Sequence, residues 1–296
     1  MNAPALRLAV AITVYRPDLP LLERLIDTVA GWGAPILLQI DGPTGEAIEP
    51  QALARLAADP RLALAQAPAN EGIATALNRL AAGARAAGCD RVIFLDQDSE
   101  PPADMAERLL SAFAALDASG ARPAAVGPRP VARDPARSKA PSYRRRRNAA
   151  PRAGLVPVDY LITSGSLVTR EALDAVGPFP EAFRIDAVDV EWCFRAWARG
   201  RSVWMVEDLL MPHSVGGGVV RLGPLAFPQQ NPARMGTYVR NQFRLLRLPH
   251  VPLRWKLRTL LYVPLQGAAY AARAPEKRGG LALALLRAAR EGLRRS

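Results

Sequence analysis

Short apolar runs alternate with stretches of helical spacing through the first third of the chain. Leu8 to Tyr15 is continuously apolar and strand-like, and Pro17 and Pro20 end it. Leu21-Leu22, Leu25-Ile26 and Val29 then recur at helical spacing up to Gly31. Pro35 to Asp41 predicts a second buried strand, Gln51 to Ala58 a helix and Leu62 to Gln66 a third strand. Asn70-Glu71-Gly72 opens a predicted helix from Ile73 to Ala87, closed by Gly88. Arg91 to Leu95 predicts a fourth strand that runs into Asp96-Gln97-Asp98-Ser99 before Pro101-Pro102 stops it. Strands alternating with helices imply an α/β fold: a doubly wound, mostly parallel sheet with helices on both faces. Open sheets of this kind hold ligands at the carboxyl ends of their strands. The strand-end residues Thr13, Tyr15, Asp41, Asp96 and Asp98 are therefore expected on one rim.

Farther along, Ala103 to Leu116 has helical spacing, and Ala124 to Pro128 reads as a short strand. Residues 129–153 change character, with Pro, Ala and Ser around Arg144-Arg145-Arg146-Arg147. That composition suits a basic loop, either solvated or a flap that meets phosphate. Val158 to Val168 reads as strand, glycine break and strand, with Ser164-Gly165-Ser166 at the break. A helix is expected from near Asp189, with Val190, Phe194 and Trp197 on its buried face. Arg201 to Val206 is a further strand, and His213 precedes the glycine-rich Ser214 to Gly218.

Two carboxylates at i and i+2 repel unless a cation lies between them. Beside a nucleotide diphosphate that cation is Mg²⁺ or Mn²⁺, held by one or two carboxylates and phosphate oxygens. Without a ligand, Asp96-Gln97-Asp98 is a strand end followed by an Asp-rich turn. An acid after the second strand, here Asp41, commonly holds a ribose hydroxyl; in isolation the reading as a turn residue before Gly42 is favoured. Asn70 alone reads as a helix cap. Gly-x-Gly-x-x-Gly and Walker A patterns are missing from the sequence, which excludes a typical dinucleotide binder and a P-loop enzyme.

The chain has 296 residues and a net charge of +12, which points to a polyanionic partner. Cys89 and Cys193 lie far apart without ligand spacing, so neither a disulfide framework nor a zinc site is expected, and a reducing compartment fits. The first apolar run is too short for a signal sequence, and no eighteen apolar residues run together.

Taken in order, these motifs make the chain resemble family 2 inverting glycosyltransferases of GT-A fold, and among them the bacterial rhamnosyltransferase-like group. The resemblance covers roughly residues 6 to 250. It is carried by Thr13-Val14-Tyr15-Arg16-Pro17, Ile40-Asp41-Gly42, Asn70-Glu71-Gly72-Ile73-Ala74 with Asn78, and Phe94-Leu95-Asp96-Gln97-Asp98-Ser99. It continues through Leu161 to Leu167, Val176-Gly177-Pro178-Phe179, Asp186 to Cys193, His213, and Tyr238-Val239-Arg240-Asn241.

The resemblance implies roles. Thr13, Tyr15, Arg16, Asp41, Asn70, Gly72, Asn78 and Asp96 would bind the donor nucleotide. Asp96, Asp98 and His213 would hold Mg²⁺ or Mn²⁺. Asp189 would be the general base. The usual Glu-Asp pair is here Val188-Asp189, so Glu191 is the candidate second carboxylate. Ser164, Gly165, Ser166 and Trp192 would hold the donor sugar and acceptor. The Gln-x-x-Arg-Trp motif of processive members is missing, which implies one sugar per encounter. The expected reaction is transfer of L-rhamnose from dTDP-rhamnose to a cell-surface glycan or lipid-linked saccharide. Another nucleotide sugar, UDP-galactofuranose or a UDP-hexose, is the near alternative, and a nucleotidyltransferase the remote one.

Residues 1–250 form the expected catalytic domain and 251–296 a basic helical extension. Beyond residue 220 fifteen Lys and Arg face two acids, Glu276 and Glu291. Thr259 to Ala272 is uncharged but interrupted by Pro264 and Gly267, which suits a buried or interfacial segment. Leu281 to Leu293 predicts an amphipathic helix with Ala282, Leu286, Ala289 and Leu293 on one face and Arg287, Arg290 and Arg294 on another. Such a helix either packs on the catalytic domain or lies on an anionic membrane surface. The expected location is cytoplasmic, peripheral on the inner face of the membrane. A nucleic-acid partner is not expected, because the basic residues do not alternate with aromatics.

Overall fold

The computed structural model describes residues 7–133, 140–213, 219–222, 225–228, 232–273 and 278–294. The first part follows the predicted alternation: β1 (Leu8–Val14), α1 (Leu19–Ala30), β2 (Ile36–Ile40), α2 (Pro50–Ala57), β3 (Leu62–Gln66), α3 (Ile73–Ala86), β4 (Arg91–Asp96) and α4 (Met105–Ala118). Then come β5 (Pro123–Ala132), β6 (Leu155–Pro157), β7 (Ser166–Thr169), α5 (Arg170–Val176), a 3-10 turn (Glu181–Phe183), α6 (Val188–Ala198) and β8 (Ser202–His213). The last elements are β9 (Val219–Leu222), β10 (Leu225–Pro228), α7 (Pro232–Arg247), α8 (Leu253–Arg273) and α9 (Arg278–Leu293).

Eight strands form one sheet in the order β3-β2-β1-β4-β7-β5-β8-β6. β1 pairs in parallel with both β2 and β4, whereas β7 runs antiparallel to β4 and β5. Leu22, Leu25, Ile26 and Val29 of α1 are buried against this sheet, as their spacing predicts. Each contributes about 1.5–3 kcal/mol of burial. Asp18 caps the helix by accepting from Leu21 N at 3.2 Å.

The chain groups into two compact units. One comprises Met1–Pro130, Ser142–Arg184 and Val188–Pro212; the other comprises Val131–Pro141, Ile185–Ala187 and His213–Ser296. α7, expected within the catalytic domain, groups with α8 and α9.

Three expectations change. Val158 to Gly165 is irregular, not the first half of a broken strand. Val158 still bonds to the sheet, its N–H donating to the Val203 carbonyl at 2.9 Å, and the next residue, Asp159, is buried and pairs with Arg146 at 3.4 Å. β5 and β8 are longer than predicted and reach Ala132 and His213. α8 runs through Pro264, which is exposed. Water can therefore hydrate the Leu260 carbonyl that proline leaves without a helix donor. Of the basic tract, residues 134–139 lie outside the described residues. Arg146 is no free flap: besides Asp159, its guanidinium lies 4.9 Å from the Trp197 ring centroid.

On α9 the face packed in the second unit carries Ala288, Leu285 and Ala289, against Met235 and Val239 of α7. Of the predicted apolar face, Leu286 and Leu293 are exposed. No described helix is long and apolar enough to cross a membrane.

Candidate active site

The strand ends converge as the pattern requires. Thr13 is in register with Asp96 across β1 and β4. One residue past β4, Gln97 turns its side-chain amide onto the loop after β1. Tyr15 N donates to Gln97 Oε1 at 2.6 Å, and Gln97 Nε2 donates to the Tyr15 carbonyl at 3.0 Å. Arg16, next in the loop, has φ +50° and reaches the Glu46 carbonyl through Nε at 3.0 Å.

Asp41 is buried, and its two oxygens accept from the backbone N–H of Glu71 at 2.8 Å and of Gly72 at 2.9 Å. The carboxylate thereby holds the start of α3 against the end of β2, and each oxygen keeps a second lone pair. A side chain at Gly42 would come within 3.6 Å of Asn70 N and 3.8 Å of the Tyr15 ring, so Tyr15, Asp41, Asn70 and Gly72 form one cluster. Gly72 has φ +94°, and a Cβ there would meet Arg184 backbone at 2.8 Å. Only glycine fits that approach. Arg184 also donates to the Asn70 carbonyl at 2.7 Å.

The turn Asp96 to Ser99 is held from below. Asp96 N donates to Ser99 Oγ at 3.0 Å, and Ser99 Oγ lies 2.7 Å from Ser164 Oγ. Both serines are buried. Gly165 N donates to the Phe94 carbonyl at 2.7 Å, and Ser166 Oγ donates to the Thr163 carbonyl. Gly165 has φ +85°, and a Cβ there would lie 2.9 Å from both Pro128 and Met211. Ser164 thus braces the turn that carries the acidic pair, while Ser166 closes its own turn on Thr163. Asp98 is exposed and Asp96 half-buried.

Asp189 lies in the first turn of α6, half-buried, with Oδ1 accepting from Val190 N at 2.8 Å. Burial raises the Tyr143 phenol and the Cys193 thiol well above their usual ranges, and the Asp189 charge adds to both shifts. Those groups are therefore neutral neighbours of the carboxylate. Glu191 is buried and pairs with Arg195 Nη2 at 2.8 Å. Arg195 also donates to the carbonyls of Val176 and Pro178, so this pair ties α6 to the preceding turn. Trp192 is 2% exposed, and its Nε1 donates to the Gly177 carbonyl at 2.9 Å. Its ring belongs to a buried row: Phe94 to Phe179 at 5.5 Å and Phe179 to Trp192 at 5.4 Å between centroids. The row links β4, which carries Asp96, to α6, which carries Asp189.

Asn78 bridges the same turn. Its Oδ1 accepts from Phe179 N at 2.8 Å, while Nδ2 donates to the Phe179 carbonyl at 3.0 Å and to Glu181 Oε1. Among the expected donor-binding residues it is the one whose side-chain amide lies against backbone. His213 ends β8 and is half-buried; Ser214 to Gly218 lie outside the described residues. Among the described residues no three His, Cys, Asp or Glu side chains form a metal cage. Two hard carboxylates on one exposed turn nevertheless suit a cation that completes its shell with phosphate and water oxygens.

Sequence reasoning missed the Gln97 and Ser99 contacts. Their only signal was position, since both flank the acids.

The model of the family described as Glycosyl transferase family 2 matches residues 10–177. The chain is similar to the dTDP-rhamnosyl transferase RfbF of Shigella flexneri, with 29% identity over 257 residues that cover 85% of this chain and 83% of that protein. In fold it is similar to GalNAc-T7, crystallised with UDP, GalNAc and Mn²⁺: TM-score 0.57 at 15% identity, covering 92% of this chain and 58% of that one. It is similar also to Staphylococcus aureus TarS in complex with UDP-GlcNAc, with TM-score 0.51 at 14% identity, covering 86% of this chain and 70% of that one. The chain thus spans less than two thirds of the GalNAc-T7 chain. These likenesses are of fold, and they bear out the GT-A type α/β arrangement expected from the sequence.

Proposed function

The chain belongs to glycosyl transferase family 2, and from that premise we propose that it transfers one L-rhamnosyl residue from dTDP-rhamnose to a hydroxyl of a saccharide or lipid-linked saccharide. Transfer of a sugar from a nucleotide donor is the family's chemistry. The choice of rhamnose is supported by the likeness to dTDP-rhamnosyl transferase RfbF over most of both chains. The observation that carries the site reading is the meeting of Thr13, Tyr15, Gln97 and Asp96 where β1 and β4 end.

In this reading, Tyr15, Asp41 and Asn70 receive the base and ribose. Asp96 and Asp98 would hold a divalent cation of the Mg²⁺ or Mn²⁺ type. A bound cation offsets the negative charge that develops on the leaving diphosphate. Asp189 accepts the proton of the acceptor hydroxyl, which attacks the anomeric carbon from the face opposite the diphosphate and inverts the centre. Glu191 acts through Arg195 by holding α6. Trp192 and Asn78 act from beneath, through Gly177 and Phe179.

A membrane-bound acceptor is supported by α8. Leu253, Leu257, Leu261 and Leu265 follow one another along it and are 44–71% exposed, and Arg254, Lys256 and Arg258 stand among them. Apolar residues mixed with cations suit an anionic lipid surface, with the protein on the cytoplasmic face. The buried free thiols of Cys89 and Cys193 suit a reducing compartment.

The test is nucleoside diphosphate release from a panel of nucleotide sugars, with and without a chelator. Turnover of dTDP-rhamnose, lost on chelation, is expected. Turnover confined to a UDP-sugar, or indifferent to chelation, would remove the rhamnose or the cation from this reading.

A further inference from the structure

Just before α6 the backbone leaves the region that L-residues favour. Arg184, Asp186 and Ala187 have φ of +59°, +61° and +63°. None is glycine, and such a run persists only where its surroundings over-determine it. Ile185–Ala187 and α7 belong to the same compact unit, and α7 supplies the restraint.

Asn241 is 0% exposed. Its Nδ2 donates to the Ile185 carbonyl at 2.6 Å and to the Asp186 carbonyl at 3.0 Å. Both amide hydrogens are thus spent on two consecutive peptide groups. Two turns earlier on α7, Arg234 Nη2 meets Asp186 Oδ1 at 3.2 Å. Together they hold two carbonyls and one side chain of the left-handed segment. The residues that follow, Val188 and Asp189, open α6. The held peptide groups thus lie immediately before Asp189 in the chain.

We propose that Asn241 is a positioning residue for Asp189. By clamping the Ile185 and Asp186 carbonyls it maintains the left-handed turn from which α6 starts, and so aims the Asp189 carboxylate. The inference rests on the reading of Asp189 as general base. It gives Tyr238-Val239-Arg240-Asn241, a motif without an assigned task, a physical role. Asn241 is fully buried, so it acts through the backbone and not on substrate. Released from the clamp, the segment would relax toward ordinary φ values and carry Asp189 with it. A displacement of about 1 Å at a reacting group can cost about 10²-fold in rate. The donor cluster on β1, β2 and β4 meets this segment through Arg184, and its own bonds, from Glu71 and Gly72 to Asp41 and between Tyr15 and Gln97, would hold it.

The experiment uses the full chain, dTDP-rhamnose as donor and water as acceptor, with dTDP affinity measured separately by titration. Asn241→Ala should lower turnover at least about ten-fold while dTDP affinity stays within about two-fold. Adding Ala187→Gly, which accepts a positive φ without strain, should recover at least about three-fold of that loss. Arg234 is partly exposed, and Arg234→Ala gives a second variant on the same segment that leaves Asn241 in place and removes the partner of Asp186 Oδ1; it should lose about three-fold in turnover with unchanged dTDP affinity. Wild-type turnover in both Asn241→Ala and Arg234→Ala, or no recovery with Ala187→Gly, would overturn the proposal. Asp189→Asn run alongside separates the two readings. Full turnover there removes Asp189 as base, whereas an inactive Asp189→Asn beside fully active Asn241→Ala and Arg234→Ala removes the clamp alone.

Discussion

The side-chain amide of Gln97 pairs with Tyr15 as a neighbouring strand would, accepting from its N–H at 2.6 Å and donating to its carbonyl at 3.0 Å. The residue between the two acids therefore sets where the loop after β1 stands. Gln97→Glu removes the donor and sets a carboxylate against a carbonyl. One such hydrogen bond contributes about 0.5–1.5 kcal/mol, so the KM for the donor should rise about three- to ten-fold with a smaller change in kcat. Steady-state kinetics checks this; an unchanged KM would mean that Tyr15 does not depend on Gln97.

Asp98→Ala should abolish the gain in nucleoside diphosphate affinity that Mn²⁺ confers. Asp98 is exposed in the turn that follows β4, so its loss should leave the fold intact. Titration of dTDP with and without Mn²⁺ reads the effect directly. Equal affinities in wild type and variant under both conditions would contradict the metal assignment.

Gly292 is where α9 closes on α7. A Cβ there would clash with the Arg240 carbonyl and lie 2.8 Å from Phe243 Cβ. Gly292→Ala should destabilise the second unit by about 1–3 kcal/mol, the usual range for overpacking. Urea unfolding measures the loss. A variant as stable as wild type would show that the two helices are not this close.

Asp186 gives a pH dependence of unusual sign. Burial raises its pKa, and Arg234 only partly offsets that. A carboxylate with a folded pKa above its unfolded value binds a proton more readily in the folded state. Its penalty vanishes below the unfolded value of about 3.9 and is complete above the folded one. Asp186→Asn, which cannot ionise, should therefore gain stability relative to wild type as pH rises from about 4 toward 7. Thermal melts across that range would show a constant difference if the burial were not felt.

The side-chain amides mark the boundary of what the sequence discloses. Runs such as Leu8 to Val14 and Arg91 to Leu95 are local patterns, and local patterns predicted every strand and helix from β1 to α4. They also placed Thr13, Asp41, Asp96 and Asp98 at strand ends, because a strand's carboxyl end is visible in one dimension. Where burial follows from a distant partner, the pattern is silent. Val158 to Gly165 looks as apolar as a strand, yet beyond Val158 it is irregular, and its Asp159 is buried against the distant Arg146.

Composition and periodicity by themselves determined the α/β class, the acidic rim and the basic C-terminal part, since each depends on residue type at short range. Only the tertiary structure decided that Asn78 binds Phe179 across 101 residues. It alone placed Gln97 on Tyr15 across 82 and Asn241 on Ile185 across 56. An amide side chain carries both donor and acceptor and fits almost any exposed backbone. Which backbone it meets is fixed by long-range packing, and no local pattern encodes that choice.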